Sequence, residues 1–361
     1  RTLAAEMEMG GHTSEFVCGA DCVVISPGVP TEKFFSRYVG REDIPFVGEI
    51  EFAYWFCRAA EIVAVTGTSG KTTTTHVIGE ILRGETGRKT HVCGNIGTPF
   101  ADIVSDVCAG DIAVIEVSSF QMETIVSFKP RVAVLLNVAP DHLDRYADMA
   151  EYARAKTRIF ENQSDDDAAV IESESVGYAA GAGKGRRIVI SGSDQMPYVA
   201  AAVAPFGVGA ETVRSFFASF RGLPHRMEVV AELNGVTYIN DSKATKPHAT
   251  IFALNKLQGP VVLLAGGRDK GMTYTPIRSF AGKLRALVLF GEARDRIAED
   301  VGDAVPVYMS QTMDEALLKA RALACPGDTV LLSPMCASFD QFDNFEHRGN
   351  VFRQSVHQLR S

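Results

Sequence analysis

One segment of the chain constrains the fold more than any other. The apolar run at residues 62–66 is followed by the loop Gly67-Thr68-Ser69-Gly70 and then by Lys71-Thr72-Thr73. The run has the length and composition of a buried strand, and the residues after the loop are typical of a helix. A strand, a short glycine loop and a helix in this order predict the start of a parallel α/β unit.

The loop has the composition of a phosphate-binding loop. Its glycines let backbone N–H groups turn toward an anion, and the amino terminus of the next helix adds partial positive charge. In such loops the lysine, here Lys71, reaches the β- and γ-phosphates, and the next hydroxyl, Thr72, binds Mg²⁺. Because Ala64 replaces the first glycine of the longer motif, a simple glycine turn with a surface lysine is the competing interpretation. The flanking strand and helix favour the phosphate loop.

Short apolar runs alternate with helical patterns along the rest of the chain, which predicts an α/β fold with mostly parallel sheets. Strands are expected at residues 22–25, 112–117, 132–136, 236–239, 261–265, 287–290 and 329–332. Helices are expected from Lys71 and over residues 148–161. The stretch 163–205 has an acidic run and a Gly/Ala-rich segment, and it predicts loops and short strands.

The length of 361 residues exceeds one ordinary domain. Three domains are expected. Residues 1–58 hold too few strands for a complete domain, residues 59–221 surround the phosphate loop, and residues 222–361 carry a doubly wound, Rossmann-like pattern.

Composition excludes several classes of function. The net charge of −8 argues against nucleic acid as the main partner, because binding phosphates needs a basic surface. No apolar stretch approaches the roughly 20 residues that cross a bilayer, so no membrane partner is expected. The seven cysteines form no C-x-x-C pair and are expected to be reduced thiols in the cytoplasm.

Polar side chains follow two of the predicted strands. Glu116 lies near the end of the run 112–117, where it either holds Mg²⁺ or caps the following turn, and the sequence leaves these interpretations equal. The run 132–136 leads into the polar segment 137–145, which marks the carboxyl edge of a sheet, where open sheets bind ligands. That position and its acidic neighbours favour a functional role for His142. Lys156 has the spacing of a solvated lysine.

Taken in order, these motifs resemble those of the Mur ligases of bacterial cell-wall synthesis. The blocks that carry the resemblance are Gly67-Thr68-Ser69-Gly70-Lys71-Thr72-Thr73, Gly94-Asn95-Ile96-Gly97, Glu116-Val117-Ser118-Ser119-Phe120-Gln121, Asp141-His142-Leu143-Asp144-Arg145, Ala155-Lys156, Gly222-Leu223-Pro224-His225-Arg226, Asn240-Asp241-Ser242-Lys243-Ala244-Thr245 and Gly266-Gly267-Arg268-Asp269-Lys270. The closing block at residues 332–349 looks like that of the members that add D-glutamate. The resemblance covers nearly the whole chain from Ser26 onward.

The resemblance implies an ATP-dependent ligase that joins a carboxylate to an amine through an acyl-phosphate. Its implied substrates are UDP-N-acetylmuramoyl-L-alanine, D-glutamate and ATP, with two Mg²⁺ ions as cofactors. It also implies a cytoplasmic protein, which we expect to be a monomer. The residue types agree with this chemistry, because cations near the loop would offset the repulsion between two anionic reactants.

The resemblance also assigns site residues. ATP would contact Gly67, Thr68, Ser69, Gly70, Lys71, Thr72, Thr73, Arg226, Asp241 and Lys243. The uridine-diphosphate end of the substrate would contact Ser26, Pro27, Gly28, Asn95, Ser118 and Gln121. D-Glutamate would contact Thr245, Lys270, Ser338, Phe339 and Phe345. One Mg²⁺ would be held by Thr72 and Glu116, and a second by His142 and a carbamylated Lys156. Lys71, Glu116, His142 and Lys156 would form the catalytic group.

The chain departs from the family pattern in several places. It lacks the family's His-Asn-x-x-Asn segment, since residues 163–224 contain neither His nor Asn, and it lacks the glycine-rich opening of the first domain. Lys246 stands where the family has Asn, and Phe339 replaces a smaller apolar residue. Either these segments belong to the protein but are missing from this sequence, or the protein is a truncated and impaired relative. The intact catalytic blocks favour the first alternative.

Other functions remain open at this point. Another Mur-type ligase or a folylpolyglutamate-type ligase would share most of the motifs and differ in the last block. A non-catalytic nucleotide-binding protein with a phosphate loop would need no second metal site. A dinucleotide-dependent oxidoreductase would need a glycine fingerprint that both terminal units lack. Lys270 itself is open to a plain interpretation, as a surface lysine in a glycine turn.

Overall fold

A computed structural model of the chain describes residues 8, 9, 11–29, 44–57, 61–95, 97–142, 145–220 and 222–359. The chain divides into two compact units, Arg1–Ser219 and Phe220–Ser361. Each unit contains a six-stranded sheet that is wholly or mostly parallel. The predicted α/β class is therefore confirmed. The division into three domains stays a prediction.

The first unit contains two sheets. Its strands are β1 (Val23–Ile25), β2 (Phe46–Gly48), β3 (Glu61–Thr66), β4 (Thr90–Gly94), β5 (Ile112–Glu116), β6 (Val132–Leu135), β7 (Ala168–Glu172) and β8 (Arg186–Ile190). Its helices are α1 (Ser14–Cys18), α2 (Glu49–Phe56), α3 (Lys71–Glu85), α4 (Phe100–Ile103), α5 (Ser119–Met122), α6 (Met149–Thr157), α7 (Gln195–Val203) and α8 (Ala210–Ser219). Strands β1 and β2 pair in parallel, and the other six form a parallel sheet in the order β4-β5-β3-β6-β7-β8.

Burial explains the apolar runs of the central strands. Strands β5 and β6 are buried at every residue, and β3 is buried at all but its first. A parallel sheet that is covered on both faces needs continuous apolar strands and not alternating ones. Helix α3 buries Val77, Ile78, Ile81 and Leu82, which recur at helical spacing.

The strand order creates a switch point in the first unit. The chain leaves β3 toward β4 on one side of the sheet, and it leaves β6 toward β7 on the other side. Ligands in open α/β sheets bind beyond the carboxyl ends of strands at such a point. The loop after β3 and the polar segment after β6 flank it.

The stretch 163–205 contains more structure than its composition suggests. It includes the predicted short strands, β7 and β8, and also helix α7. Strand β8 lies at the sheet edge and exposes Arg186 and Arg187, so it lacks the apolar run that marks a central strand. The elements β4, α8 and β9 were not predicted either.

The second unit forms one mixed sheet. Its strands are β9 (Glu228–Leu233), β10 (Val236–Asn240), β11 (Val261–Gly266), β12 (Leu284–Phe290), β13 (Val307–Met309) and β14 (Thr329–Met335), in the order β13-β12-β11-β14-β10-β9. Strands β9 and β10 are antiparallel, joined by Asn234 and Gly235. Both of these residues have positive φ, the Asn-Gly hairpin turn that matches strand twist.

Helices cover both faces of this second sheet. They are α9 (Pro247–Lys256), α10 (Arg294–Val301), α11 (Met313–Leu323) and α12 (Phe345–Gln358). One core cluster joins α9 and α10 to one face, and another joins α11 and α12 to the other. Across the described parts of both units, no helix is long and apolar enough to cross a membrane.

A buried carboxylate anchors the first unit away from the switch point. Glu51 of α2 is fully buried and accepts hydrogen bonds from the backbone N–H groups of Val126 (3.0 Å), Ser127 (2.8 Å) and Phe128 (2.9 Å). The Ser127 hydroxyl and the Trp55 indole also donate to it. Burial acts to raise the pKa of Glu51, but these hydrogen bonds outweigh it, and the pKa lies below its ordinary value.

Replacing Glu51 by Gln should lower the free energy of unfolding at pH 7 by about 3 kcal/mol, because buried N–H donors lose a charged acceptor. A depressed carboxylate pKa contributes stability that is present above the unfolded value of about 4.3 and is lost as pH falls through the folded pKa. The difference between wild type and Glu51→Gln should therefore shrink in acid. Urea unfolding at several pH values measures both effects. Glu80→Gln, which removes an exposed ion pair on α3, is the control; equal losses in the two variants would contradict the account.

Candidate active site

The loop after β3 has a conformation that requires glycine at two positions. Gly67 has φ of +152°, and a Cβ there would lie 3.0 Å from Leu136 Cβ. Gly70 has φ of +83° and precedes the first residue of α3. The loop therefore follows β3 closely and turns directly into the amino terminus of a 15-residue helix. Backbone N–H groups at such a terminus favour an anion.

Asn137 braces this loop from the neighbouring strand. Its side-chain oxygen accepts hydrogen bonds from the N–H groups of Thr68 (3.0 Å) and Ser69 (2.9 Å), and its side-chain nitrogen donates to the Ser69 carbonyl (3.1 Å). Its own carbonyl also accepts from Thr68 N (3.0 Å). Asn137 lies in the polar segment 137–145 but was not predicted as a site residue. Its position at the start of the polar segment after β6 is the signal that identifies it.

Two lysines converge on one carbonyl oxygen of the loop. Lys71 Nζ donates to the Gly67 carbonyl (2.8 Å) and to the Thr68 carbonyl (3.0 Å). Lys156 Nζ, on α6, donates to the same Gly67 carbonyl at 2.9 Å. The structure therefore brings the two predicted lysines together at the loop and concentrates positive charge there.

The spacing in the sequence indicated that Lys156 is a solvated lysine. The structure shows that this prediction is wrong. Its side chain is 2% exposed, and its ammonium lies 4.5 Å from the centre of the Tyr152 ring. Burial lowers the pKa of Lys156 to about 7, with a further contribution from the Lys71 cation and an opposing one from Asp141. A substantial fraction of Lys156 is therefore the neutral amine near pH 7.

Tyr152 joins three parts of this site and was not predicted. Its hydroxyl lies 3.2 Å from the Thr68 hydroxyl, and its ring contacts both Lys156 and, at 6.1 Å between centroids, His142. Tyr152 precedes Lys156 by one helical turn, the spacing at which side chains share a face. That spacing is the signal that could have identified it.

Glu116 ends β5, next to β3 in the sheet. Its side chain is 2% exposed and accepts a hydrogen bond from Asn95 Nδ2 at 3.1 Å. The alternative role as a cap of the following turn belongs instead to Ser118, whose hydroxyl accepts from Gln121 N. The Gln121 side-chain oxygen in turn accepts from Ser118 N and Oγ, both at 3.0 Å. Ser118 and Gln121 thus form a capping box beside Glu116.

His142 lies in the left-handed region, with φ of 54°. Its ring packs on Phe120 at 4.8 Å between centroids, and its backbone N–H donates to Asp141 Oδ1 at 2.9 Å. Tyr152 links it to Lys156, so the structure places both residues of the predicted second metal site around one aromatic ring.

The side chains at this site determine how Mg²⁺ could be held there. Among the described residues, no three His, Cys, Asp or Glu side chains group closely enough to hold a metal ion by themselves. Mg²⁺ is commonly held by one or two carboxylates together with water and substrate phosphates, so a buried carboxylate beside a phosphate loop fits this cation. As an ammonium Lys156 has no lone pair, and as an amine it offers nitrogen where Mg²⁺ prefers oxygen. It therefore fits this cation only in a modified, anionic form with oxygen ligands.

In the second unit, the predicted ATP residues gather at the carboxyl end of β10. Asp241 is buried and accepts from Ser333 Oγ (2.8 Å) and Met227 N (3.2 Å). Burial raises the pKa of Asp241 to about 6, while Arg226 acts to lower it. Lys243 places its ammonium 4.6 Å from the Phe345 ring centre.

The predicted D-glutamate residues occupy three loops of that unit. Thr245 follows β10, and its N–H donates to the Lys243 carbonyl (2.8 Å). Phe345 is the first residue of α12. Lys270 is exposed on the loop after β11, and Ser338 is buried on the loop after β14. The Arg268–Ala337 bridge joins these two loops. Phe339 is 61% exposed, so it does not belong to the core.

Arg348 connects two of these loops and was not predicted as a site residue. It is fully buried and donates to Ser242 Oγ (3.0 Å), to the Ser242 carbonyl (2.8 Å) and to the Cys336 carbonyl (3.2 Å). It therefore sets the spacing between the end of β10 and the end of β14. Its place in the last motif block was the available signal.

Comparisons with known proteins agree with this geometry. A model described as "Mur ligase middle domain" matches residues 65–204, and one described as "Mur ligase, glutamate ligase domain" matches residues 225–336. The UDP-N-acetylmuramoylalanine--D-glutamate ligase of Salinibacter ruber is 41% identical, over 98% of this chain and 88% of its own length. The protein of the same name from Thermoanaerobacter pseudethanolicus is 38% identical, over 100% of this chain and 89% of its own length.

The chain belongs to the Mur ligase family. This confirms the family that the ordered motifs predicted and the enzyme class, an ATP-dependent ligase that forms amide bonds. The match to the Salinibacter ruber ligase spans 407 aligned positions, more than the 361 residues of this chain. Part of that relative therefore has no counterpart here.

Solved structures share the fold of this Mur ligase. Escherichia coli FolC in complex with DHPP and ADP has a TM-score of 0.61 at 16% identity, covering 93% of this chain and 100% of that one. The MurF ligase from Thermotoga maritima in complex with ADP has a TM-score of 0.58 at 17% identity, covering 96% and 97%. At these identities the likeness concerns the fold alone.

Proposed function

We propose that this Mur ligase joins D-glutamate to UDP-N-acetylmuramoyl-L-alanine and converts ATP to ADP and phosphate. The observation that carries the proposal is the phosphate loop, where Lys71 and Lys156 meet at one carbonyl near the buried carboxylate of Glu116. The relatives that are 37–41% identical over nearly the whole chain are named for this reaction. An ATP-consuming reaction on a soluble precursor also favours the cytoplasm, and we propose a monomer.

The reaction needs two steps. A carboxylate oxygen of the precursor attacks the γ-phosphorus of ATP, the bond to the β-phosphate oxygen breaks, and an acyl-phosphate and ADP result. The amine of D-glutamate then attacks the acyl carbon, and the tetrahedral intermediate expels phosphate and loses a proton to form the amide. Both reactants are anions, so positive charge at the loop lowers the barrier to their approach.

The residues of the first unit have distinct roles in this scheme. The loop from Gly67 to Thr73 would bind the triphosphate, and Lys71 would leave its loop carbonyls to contact the β- and γ-phosphates. Thr72 and Glu116 would hold one Mg²⁺, which would neutralise phosphate charge when bound. Ser26, Pro27, Gly28, Asn95, Ser118 and Gln121 would contact the uridine-diphosphate end of the precursor.

Lys156 is proposed to act as a carbamate. Its neutral amine would attack CO₂ and lose one proton, which gives an N-carboxylate. This change would replace a cation that repels Lys71 with an anion that attracts it, and it would supply oxygen ligands. The carbamate and His142 would then hold a second Mg²⁺. The burial of Lys156 and its pKa of about 7 support the proposal, because the neutral amine is the reactive form.

Residues of the second unit would also contact ATP and the amino acid. Arg226, Asp241 and Lys243 would reach ATP. Thr245, Ser338, Phe339 and Phe345 would form the D-glutamate pocket, with Lys270 paired to the side-chain carboxylate of the amino acid. A cation on an exposed loop favours glutamate over neutral amino acids.

Phosphate release tests the substrate assignment. With ATP and UDP-N-acetylmuramoyl-L-alanine present, D-glutamate should support turnover, whereas L-alanine, a diamino acid, a dipeptide and L-glutamate should support about a hundredfold less. Parallel reactions with a reduced pteroate as acceptor test the folylpolyglutamate-type alternative. Equal turnover with the other amino acids would overturn the specificity. No turnover with any pair would favour a non-catalytic nucleotide-binding protein.

Replacing Lys156 by Ala tests the carbamate. The variant should lose activity by about a hundredfold or more, and short carboxylic acids such as acetate or propionate should restore part of it, since they return the anionic ligand. Lys129→Ala, which removes an exposed lysine paired with Asp167, should keep full activity with or without the acids. Full activity of Lys156→Ala would dispose of the role of Lys156 as a ligand.

A further inference from the structure

Arg145 is a half-buried arginine with contacts on two separate parts of the first unit. Its guanidinium donates to Glu123 through Nε (3.1 Å) and Nη2 (2.6 Å), a bidentate pair. It also donates to the Pro27 carbonyl through Nη1 (3.1 Å) and to the Val29 carbonyl through Nη2 (3.4 Å). Residues more than a hundred positions away in the sequence are thus held by one side chain.

The orientation of Arg145 is itself fixed. Glu123 accepts a second donor, the Tyr146 hydroxyl, at 2.6 Å. The guanidinium carbon lies 4.2 Å from the centre of the Phe120 ring, within the range of a cation–π contact. A planar guanidinium with a bidentate carboxylate on one edge and an aromatic ring on its face has little freedom to rotate.

The segment that Arg145 holds is the turn from Ser26 to Val29. The turn is closed by a hydrogen bond from Val29 N to the Ser26 carbonyl (3.0 Å). It follows the carboxyl end of β1, which pairs in parallel with β2. The carboxyl ends of parallel strands are where open sheets bind ligands. Ser26 and Gly28 are exposed there, while Arg145 binds the carbonyls on the other side of the turn.

Arg145 also contacts His142, which lies in the polar segment after β6. Arg145 N and Tyr146 N both donate to the His142 carbonyl, at 3.0 and 3.1 Å. The His142 ring and the Arg145 guanidinium both pack on Phe120. The position of the turn relative to His142 therefore depends on one compact cluster of side chains.

We infer that Arg145 is a positioning residue for the nucleotide-sugar substrate. It holds the Ser26–Val29 turn in a fixed position relative to His142 and does not contact the reacting atoms. This inference rests on the proposed function, in which the turn contacts the uridine diphosphate. Losing the arginine then weakens binding of that substrate above all, because the described contacts of its guanidinium are with the turn, Glu123 and Phe120.

The experiment compares Arg145→Ala, Arg145→Lys and Glu123→Gln with the wild type by steady-state kinetics in all three substrates. The KM for the nucleotide sugar should rise about tenfold in Arg145→Ala, with kcat and the KM values for ATP and D-glutamate changed by less than about threefold. The KM of Arg145→Lys for the nucleotide sugar should lie between the values of the wild type and Arg145→Ala, because an ammonium cannot make the bidentate pair and both carbonyl contacts. Glu123→Gln tests the orientation of the guanidinium with Arg145 present.

Arg88→Ala is the matched control. Arg88 also binds two backbone carbonyls, of Gly110 (2.6 Å) and Asp111 (3.3 Å), and pairs with Glu61, but at the amino edge of the central sheet. It should lower the melting temperature about as much as Arg145→Ala while leaving every KM unchanged. A rise of all three KM values together, or an unchanged KM for the nucleotide sugar in the Arg145 variants, would overturn the inference.

Calorimetric binding of UDP-N-acetylmuramoyl-L-alanine separates this inference from the proposed function. Binding that is weaker in Arg145→Ala than in the wild type supports the inference even if the wild type shows no turnover, which would contradict the proposed function alone. A wild type that turns over but whose binding is unaffected by Arg145→Ala overturns the inference alone. A wild type that does not bind the nucleotide sugar overturns both.

Discussion

The convergence of two ammonium groups on the Gly67 carbonyl is the interaction on which the site depends. One carbonyl oxygen does not neutralise two cations. Burial, together with the Lys71 cation, lowers the pKa of Lys156 to about 7. The loop is thus arranged for an anion before any substrate is bound, a form of electrostatic preorganisation. A triphosphate at the helix terminus would relieve the repulsion, and so would conversion of Lys156 to an anion.

The scaffold explains how residues far apart in the sequence reach this point. Parallel strands β5, β3 and β6 end side by side, so that Glu116, the loop after Thr66 and Asn137 share one edge of the sheet. Tyr152 then connects the loop to His142 and Lys156. The second unit follows the same plan at the ends of its own β10, β11 and β14, where Arg348 sets the spacing of two loops.

Much of this could be predicted from the sequence, for reasons that are local. A strand, a glycine loop and the start of a helix are encoded within twelve consecutive residues. The phosphate loop and the α/β fold with parallel sheets could therefore be predicted directly from this segment. The burial of Lys156 and the hydrogen bonds that Asn137 makes across the sheet could not be derived in this way, because both depend on strand order. Strand β8 was not recognisable as an element of the central sheet, because an edge strand with two exposed arginines lacks the apolar pattern. That Ser118 caps the turn after β5 became visible only in the structure, and the magnesium role of Glu116 stays a prediction.

Titration of the lysine side chains by NMR, with ¹³C at the ε-carbon and in bicarbonate-free buffer, tests the central claim most directly. The wild type should show one lysine with a midpoint near pH 7, and that signal should be absent in Lys156→Met. If every lysine of the wild type titrates above about pH 9, close to the ordinary value, the amine of Lys156 is not held neutral beside Lys71. The claim that burial and the Lys71 cation keep part of Lys156 in the neutral form that reacts with CO₂ would then be wrong.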